Sequence, residues 1–150
     1  MKRIAFVLVL FVFLSSFVNW HYNFDEAKQL AQKEHKYILL NFSGSDWCGS
    51  CIRMHKEIFA SDGFQKFADT MLVMVNANFP RQKKNQLSEA QQKINDGLAD
   101  TYNAKGSFPL TVLTNENGKV VKQWDGFPKG TIDDFILDIS KAIDNDKHPQ

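Results

Sequence analysis

The chain has 150 residues, 43% of them hydrophobic, the size and apolar content of one globular domain. Lysine and arginine number 18 against 17 aspartates and glutamates, a formal net charge of +1. That balance excludes the electrostatic footprint of a nucleic-acid binder, and the densest basic cluster, Arg81-Gln82-Lys83-Lys84, reads as a solvated loop.

Met1-Lys2-Arg3 precedes an apolar run, Ile4 to Val18, interrupted only by Ser15 and Ser16. A basic start followed by such a run is the pattern of a secretory signal, and it falls short of the about 20 apolar residues that span a bilayer. Ser16 and Val18 fit the −3 and −1 positions of a cleavage site after Val18. The alternative is an uncleaved anchor through residues 4–18. Residues 1–18 are thus expected to be a signal peptide or N-terminal membrane anchor. Either way the rest of the chain is exported, periplasmic or secreted.

Asn23 to Lys36 then has helical spacing, with Asp25 as the expected N-cap and Phe24, Ala27, Leu30 and Ala31 as one apolar stripe. Tyr37 to Phe42 is continuously apolar, apart from Asn41, and suits a buried central strand. The segment Ser43-Gly44-Ser45-Asp46-Trp47-Cys48-Gly49-Ser50-Cys51 follows directly. Cys51 to Ala60 is again helical, with Ile52, His55 or Lys56, and Phe59 in phase. Ser61 to Thr70 adds a short helix with Phe64 and Phe67 inward. Met71 to Ala77 is a second buried strand, and a polar connection leads to a helix placing Leu87, Ala90, Ile94, Leu98 and Tyr102 on one face. Two further strands, Pro109 to Thr114 and Lys119 to Trp124, flank a hairpin signal at Asn117-Gly118. Thr131 caps a last amphipathic helix with Ile132, Phe135, Ile136, Ile139 and Ile143 inward. The pattern predicts an α/β fold: a central mixed sheet with helices on both faces, in one domain over 24–144, with a flexible tail at 145–150.

Cys48 and Cys51 are the only cysteines. As a staple the pair would close a loop of a few residues and stabilise little, whereas disulfide-dependent secreted domains carry several pairs. As a metal site it lacks ligands: His55 adds a third soft group, but structural zinc takes four. No metal is therefore expected. A Cys-x-x-Cys between a strand and a helix in a mixed α/β pattern points to redox chemistry. A helix N-terminus stabilises a thiolate, so Cys48 is expected to be the more exposed, attacking sulfur. Cys51, nearly a turn further in, would be the resolving thiol, with Gly49 and Ser50 small enough to let the ring close.

Asp46-Trp47-Cys48-Gly49-Ser50-Cys51 resembles the active-site motif of the thioredoxin superfamily. Tyr102 to Phe127 resembles the same family's second landmark, a cis-proline, hairpin and glycine. The likeness covers residues 25–143. It implies a thioredoxin-like fold and a thiol–disulfide oxidoreductase acting on protein disulfides through the Cys48–Cys51 couple, most simply as a reductase. It also implies that Pro109 is cis, that Phe108 and Pro109 pair with extended substrate, that Gly126 closes the groove, and that Trp47 shields the disulfide and touches substrate. Asn41 and Met74 stand where thioredoxin has a buried acid and its lysine partner. The usual base for Cys51 is therefore missing, and Asp46 and Glu57 are the candidate proton relay in its place. No bound cofactor is expected, because the disulfide itself carries the electrons. The implied partners are a protein disulfide and a dithiol electron donor, such as a membrane thiol relay, with no nucleic acid and a monomeric chain. A reading from another class remains beside this one: a redox-inert module that binds peptides in the cis-proline groove.

Overall fold

The structure is a computed structural model that describes residues 18–149. The expected signal or anchor segment lies outside the described residues apart from Val18.

The first strand, β1 (Trp20–His21), is only two residues long and precedes α1 (Phe24–Glu34). Asn23, not Asp25, caps α1: its side chain accepts from the Asp25 and Glu26 amides, leaving both acids in the first turn, where they complement the helix dipole. β2 (Tyr37–Ser43) is buried along its whole length. The chain then turns into α2 (Gly49–Met54), which runs without a break into a π-helical turn, His55–Phe59. Next come α3 (Asp62–Met71), β3 (Leu72–Asn78), α4 (Glu89–Tyr102), β4 (Leu110–Thr114), β5 (Val120–Asp125) and α5 (Ile132–Lys147). The sheet order is β1-β3-β2-β4-β5. β2 and β3 are parallel, while β4 runs antiparallel to both β2 and β5, so the sheet is mixed.

Because side chains alternate along a strand, the sheet builds two cores. Tyr37, Leu39, Met74 and Leu113 face α2, α3 and α5, where Met54, Phe59, Phe64, Phe135 and Ile139 meet them. Ile38, Leu40, Phe42, Val75 and Val112 face α1 and α4 through Phe24, Ala27, Ala31 and Leu98.

Several helical faces differ from those the spacing suggests. Ile52 is 47% exposed, and α2 instead buries Cys51 and Met54. The π-turn then widens the inward arc, so that both Ile58 and Phe59 reach the core. In α4 the inward residue beside Leu98 is Asn95 rather than Ile94; its amide donates to the Asn78 carbonyl at 2.8 Å, which satisfies a strand end.

The fold also extends past both expected boundaries. Trp20 pairs in register with Met74 and packs its ring 5.3 Å from Phe59. At the other end α5 continues through Lys147, and Tyr37 donates a hydrogen bond to Asp146 at 3.0 Å. Desolvation, then the neighbouring Asp146 carboxylate, pushes the Tyr37 phenol up to about 12, so it stays protonated and available as that donor.

Candidate active site

Four connections meet at one end of the sheet. Ser43 pairs with Asn78, Phe42 with Leu110 and Leu110 with Asp125, so the segments after β2, β3 and β5 and the one before β4 all emerge together. Cys48 is the N-cap of α2, and the Cys51 amide donates to its sulfur at 3.3 Å. The two cysteines form a disulfide with their Cα atoms 5.2 Å apart. In this oxidised form Cys48 is 6% exposed and Cys51 4%, so the expected contrast between an open and a sheltered sulfur is nearly absent. Both lie within the wall of the protein. The Ser50 hydroxyl lies 3.5 Å from the Cys48 sulfur.

The turn before Cys48 is tightly specified. A Cβ on Gly44 would run into the Trp47 indole, so a glycine is needed there for close approach. The Cys48 amide closes the turn on the Gly44 carbonyl at 2.9 Å. Trp47 donates from Nε1 to the Phe79 carbonyl at 2.7 Å and sets its ring edge-on to Phe108, with centroids 5.4 Å apart. The Phe108–Pro109 peptide is cis. The Gly126 amide, at a left-handed φ of 82°, donates to the Pro109 carbonyl at 2.8 Å. Thus Trp47, Phe108, Pro109 and Gly126, from three separate connections, are linked contact by contact at the end of the sheet that holds the disulfide, with Pro109 itself buried.

Neither candidate proton relay is hydrogen-bonded to Cys51 among the described residues. Both carboxylate oxygens of Asp46 are taken by the Arg81 and Gln82 amides and the Asn85 side chain, each at 2.9 Å. Those hydrogen bonds, the Arg81 amide foremost, hold its pKa below the usual carboxylate value. Glu57 is exposed and receives two hydrogen bonds from Arg53, which lowers its pKa as well. Each acid is a weakened base with its oxygens turned to other donors. Asp46 instead clasps the 79–86 segment to the active-site turn.

Beneath the disulfide, on the face covered by α2, Asn41 is buried and donates to the Thr111 hydroxyl at 3.1 Å; that hydroxyl in turn reaches the Met54 sulfur. Met74 is buried among apolar side chains. No charge occupies either position.

The sequence reading missed Phe79, Arg81 and Asn85. They lie more than thirty residues from Trp47 in the chain, and only the parallel β2–β3 pairing brings them there. Their one visible signal was a polar connection longer than a strand-to-helix link requires.

Comparison with known proteins gives this arrangement its class. Residues 24–137 match the thioredoxin-like domain family. A disulfide bond reductase, DsbH, of Chlamydia pneumoniae is 36% identical over 121 residues, covering 81% of this chain and 70% of that protein. A solved DsbH oxidoreductase structure superposes with a TM-score of 0.78 at 32% identity, covering 86% of each chain. A thioredoxin-related protein, DsbJ, of Chlamydia pneumoniae is 30% identical over 80 residues, 53% of this chain but only 23% of that longer protein. The chain belongs to the thioredoxin-like family. With a Cys-x-x-Cys disulfide at the family's strand-to-helix junction, it is a thioredoxin-fold protein thiol–disulfide oxidoreductase.

Proposed function

We propose that the protein reduces disulfides of other proteins in an exported compartment. The observation that carries this reading is the Cys48–Cys51 disulfide at the start of α2, at the end of the sheet where Trp47, Phe108 and Pro109 meet. In the reduced form, the Cys48 thiolate attacks one sulfur of a substrate disulfide. That bond breaks, a substrate thiolate leaves and a mixed disulfide forms. The Cys51 thiolate then attacks the Cys48 sulfur and releases the second substrate thiolate, leaving the enzyme oxidised as seen here. A helix N-terminus and the Cys51 amide stabilise the Cys48 thiolate, which makes it the nucleophile.

The direction of electron flow rests on the likeness to a disulfide bond reductase, together with a Gly49-Ser50 dipeptide that lacks the histidine of strong oxidants. Electrons return by exchange with a dithiol donor, such as a membrane thiol relay. No cofactor is needed, and the chain acts as a monomer. Residues 1–18 direct export, as a cleaved signal or an anchor, and the enzyme works in the periplasm or is secreted. Among the described residues, no helix is long and apolar enough to cross a membrane.

Insulin reduction tests this directly. Wild type should accelerate insulin precipitation in the presence of a dithiol, Cys48→Ser should abolish the effect, and Cys51→Ser should accumulate a mixed disulfide with substrate. An inactive wild type that still binds extended peptides would favour the redox-inert peptide-binding module.

A further inference from the structure

The end of the sheet that holds the disulfide is charged in a way the whole-chain balance conceals. Its four connecting segments, residues 44–48, 79–88, 103–109 and 126–130, carry Arg81, Lys83, Lys84, Lys105 and Lys129 against Asp46, with Glu89, Asp125 and Asp134 as the acids at their edges. Asp46 keeps its charge, but its oxygens are turned toward the 79–86 segment, where they accept from three neutral donors. Asp125, the last residue of β5, is tied to the Ser107 hydroxyl at 3.0 Å. On the adjoining helix Arg53 and Glu57 neutralise one another. None of the five cations is in an ion pair among the described residues, and all are exposed. The protein's net charge is only +1, so the excess is local, and it is greatest on the 79–88 segment, which has three cations and no carboxylate of its own.

Arg81 is the best placed of them. Its backbone amide is fixed by Asp46, and its guanidinium lies 3.7 Å from the centre of the Trp47 ring, next to Cys48 in the chain. Stacking on the indole holds the guanidinium plane while leaving its edge hydrogens free for a carboxylate. The long 79–86 connection is therefore a fixed wall of the substrate surface: Trp47 bonds to its Phe79 carbonyl, and the Phe79 ring packs 5.5 Å from Phe108.

We propose that this cationic rim, centred on Arg81, selects disulfides embedded in acidic protein segments. The proposal rests on the disulfide-reductase reading and supplies its substrate class. Complementary charge around a docking surface raises encounter rates and penalises partners of like charge.

The test uses three peptides with the same intramolecular disulfide, flanked by glutamates, by lysines or by uncharged residues, and the pre-reduced full-length protein. At about 0.01 M salt the glutamate peptide should be reduced about tenfold faster than the lysine peptide; the ratio should collapse toward one at about 1 M, where the screening length has shrunk from about 30 Å to about 3 Å. Replacing the cations together, Arg81→Gln with Lys83→Gln and Lys84→Gln, should bring the low-salt ratio to within about twofold of one. Equal rates for the two charged peptides, or a ratio indifferent to salt, overturn the charge selection while leaving the reductase intact. Failure to reduce even the uncharged peptide overturns the reductase reading and the proposal with it.

Discussion

At the residue scale, the acid that resembled a proton relay is a structural clasp. Asp46 holds the 79–86 segment, and with it Arg81, against Trp47. Its pKa is lowered in the folded protein, so its stabilising contribution is complete above the unfolded value of about 3.9 and is lost as pH falls through the folded value. The nuclear magnetic resonance signal of the Trp47 indole proton should therefore stay fixed from neutral pH down to about pH 4 and move only below it. A midpoint at or above the ordinary aspartate value would contradict the clasp. Asn41 makes the complementary case. It occupies a buried site whose partners are a hydroxyl and a carbonyl, and among the described residues no ion pair or hydrogen bond brings a cation to it. Asn41→Asp should destabilise the protein by about 1–3 kcal/mol at neutral pH, since a carboxylate there is desolvated and unpaired. Burial raises such an acid's pKa, so the neutral form is tolerated and the deficit shrinks as pH falls. Urea midpoints at about pH 8 and about pH 5 check the sign, and an equal deficit at both would contradict it.

At the scale of elements, what was legible and what was not divides along physical lines. β2 and β3 were legible because both are largely buried on two faces and read as apolar runs broken by little more than an asparagine each. α5 was legible because a capping box and an inward stripe coincide: Thr131 and Asp134 satisfy one another's amides. The inner face of α2 was not. Two phases of that helix fit the pattern, one through Ile52 and one through Cys51 and Met54, and only the turn from β2, fixed by Gly44 and Trp47, selects the second. Met54→Ala should thus cost about 2–5 kcal/mol as a cavity mutation, whereas Ile52→Ala should stay within about 0.5 kcal/mol. Chemical denaturation of the two variants reads the difference; a reversed ranking would place the helix in the other phase. α4 was misread for a related reason: a buried asparagine that satisfies a strand-end carbonyl is invisible to apolar periodicity. β1 is too short to show a period at all.

At the scale of the molecule, the cysteine motif and the Phe108–Pro109 segment were readable because each carries its chemistry in adjacent residues. The basic rim was not, because its members are dispersed over three connections that meet only when the sheet forms. Near neutrality of the whole chain hid a charged pole at the redox end. The same assembly decides electron flow, since the potential measures how much better the surroundings stabilise the dithiol than the disulfide. The equilibrium potential of the Cys48–Cys51 couple, titrated against glutathione, tests that most directly. A reductase requires a value near the about −270 mV of thioredoxin, and one near the about −120 mV of a strong oxidant would make the protein a donor of disulfides instead.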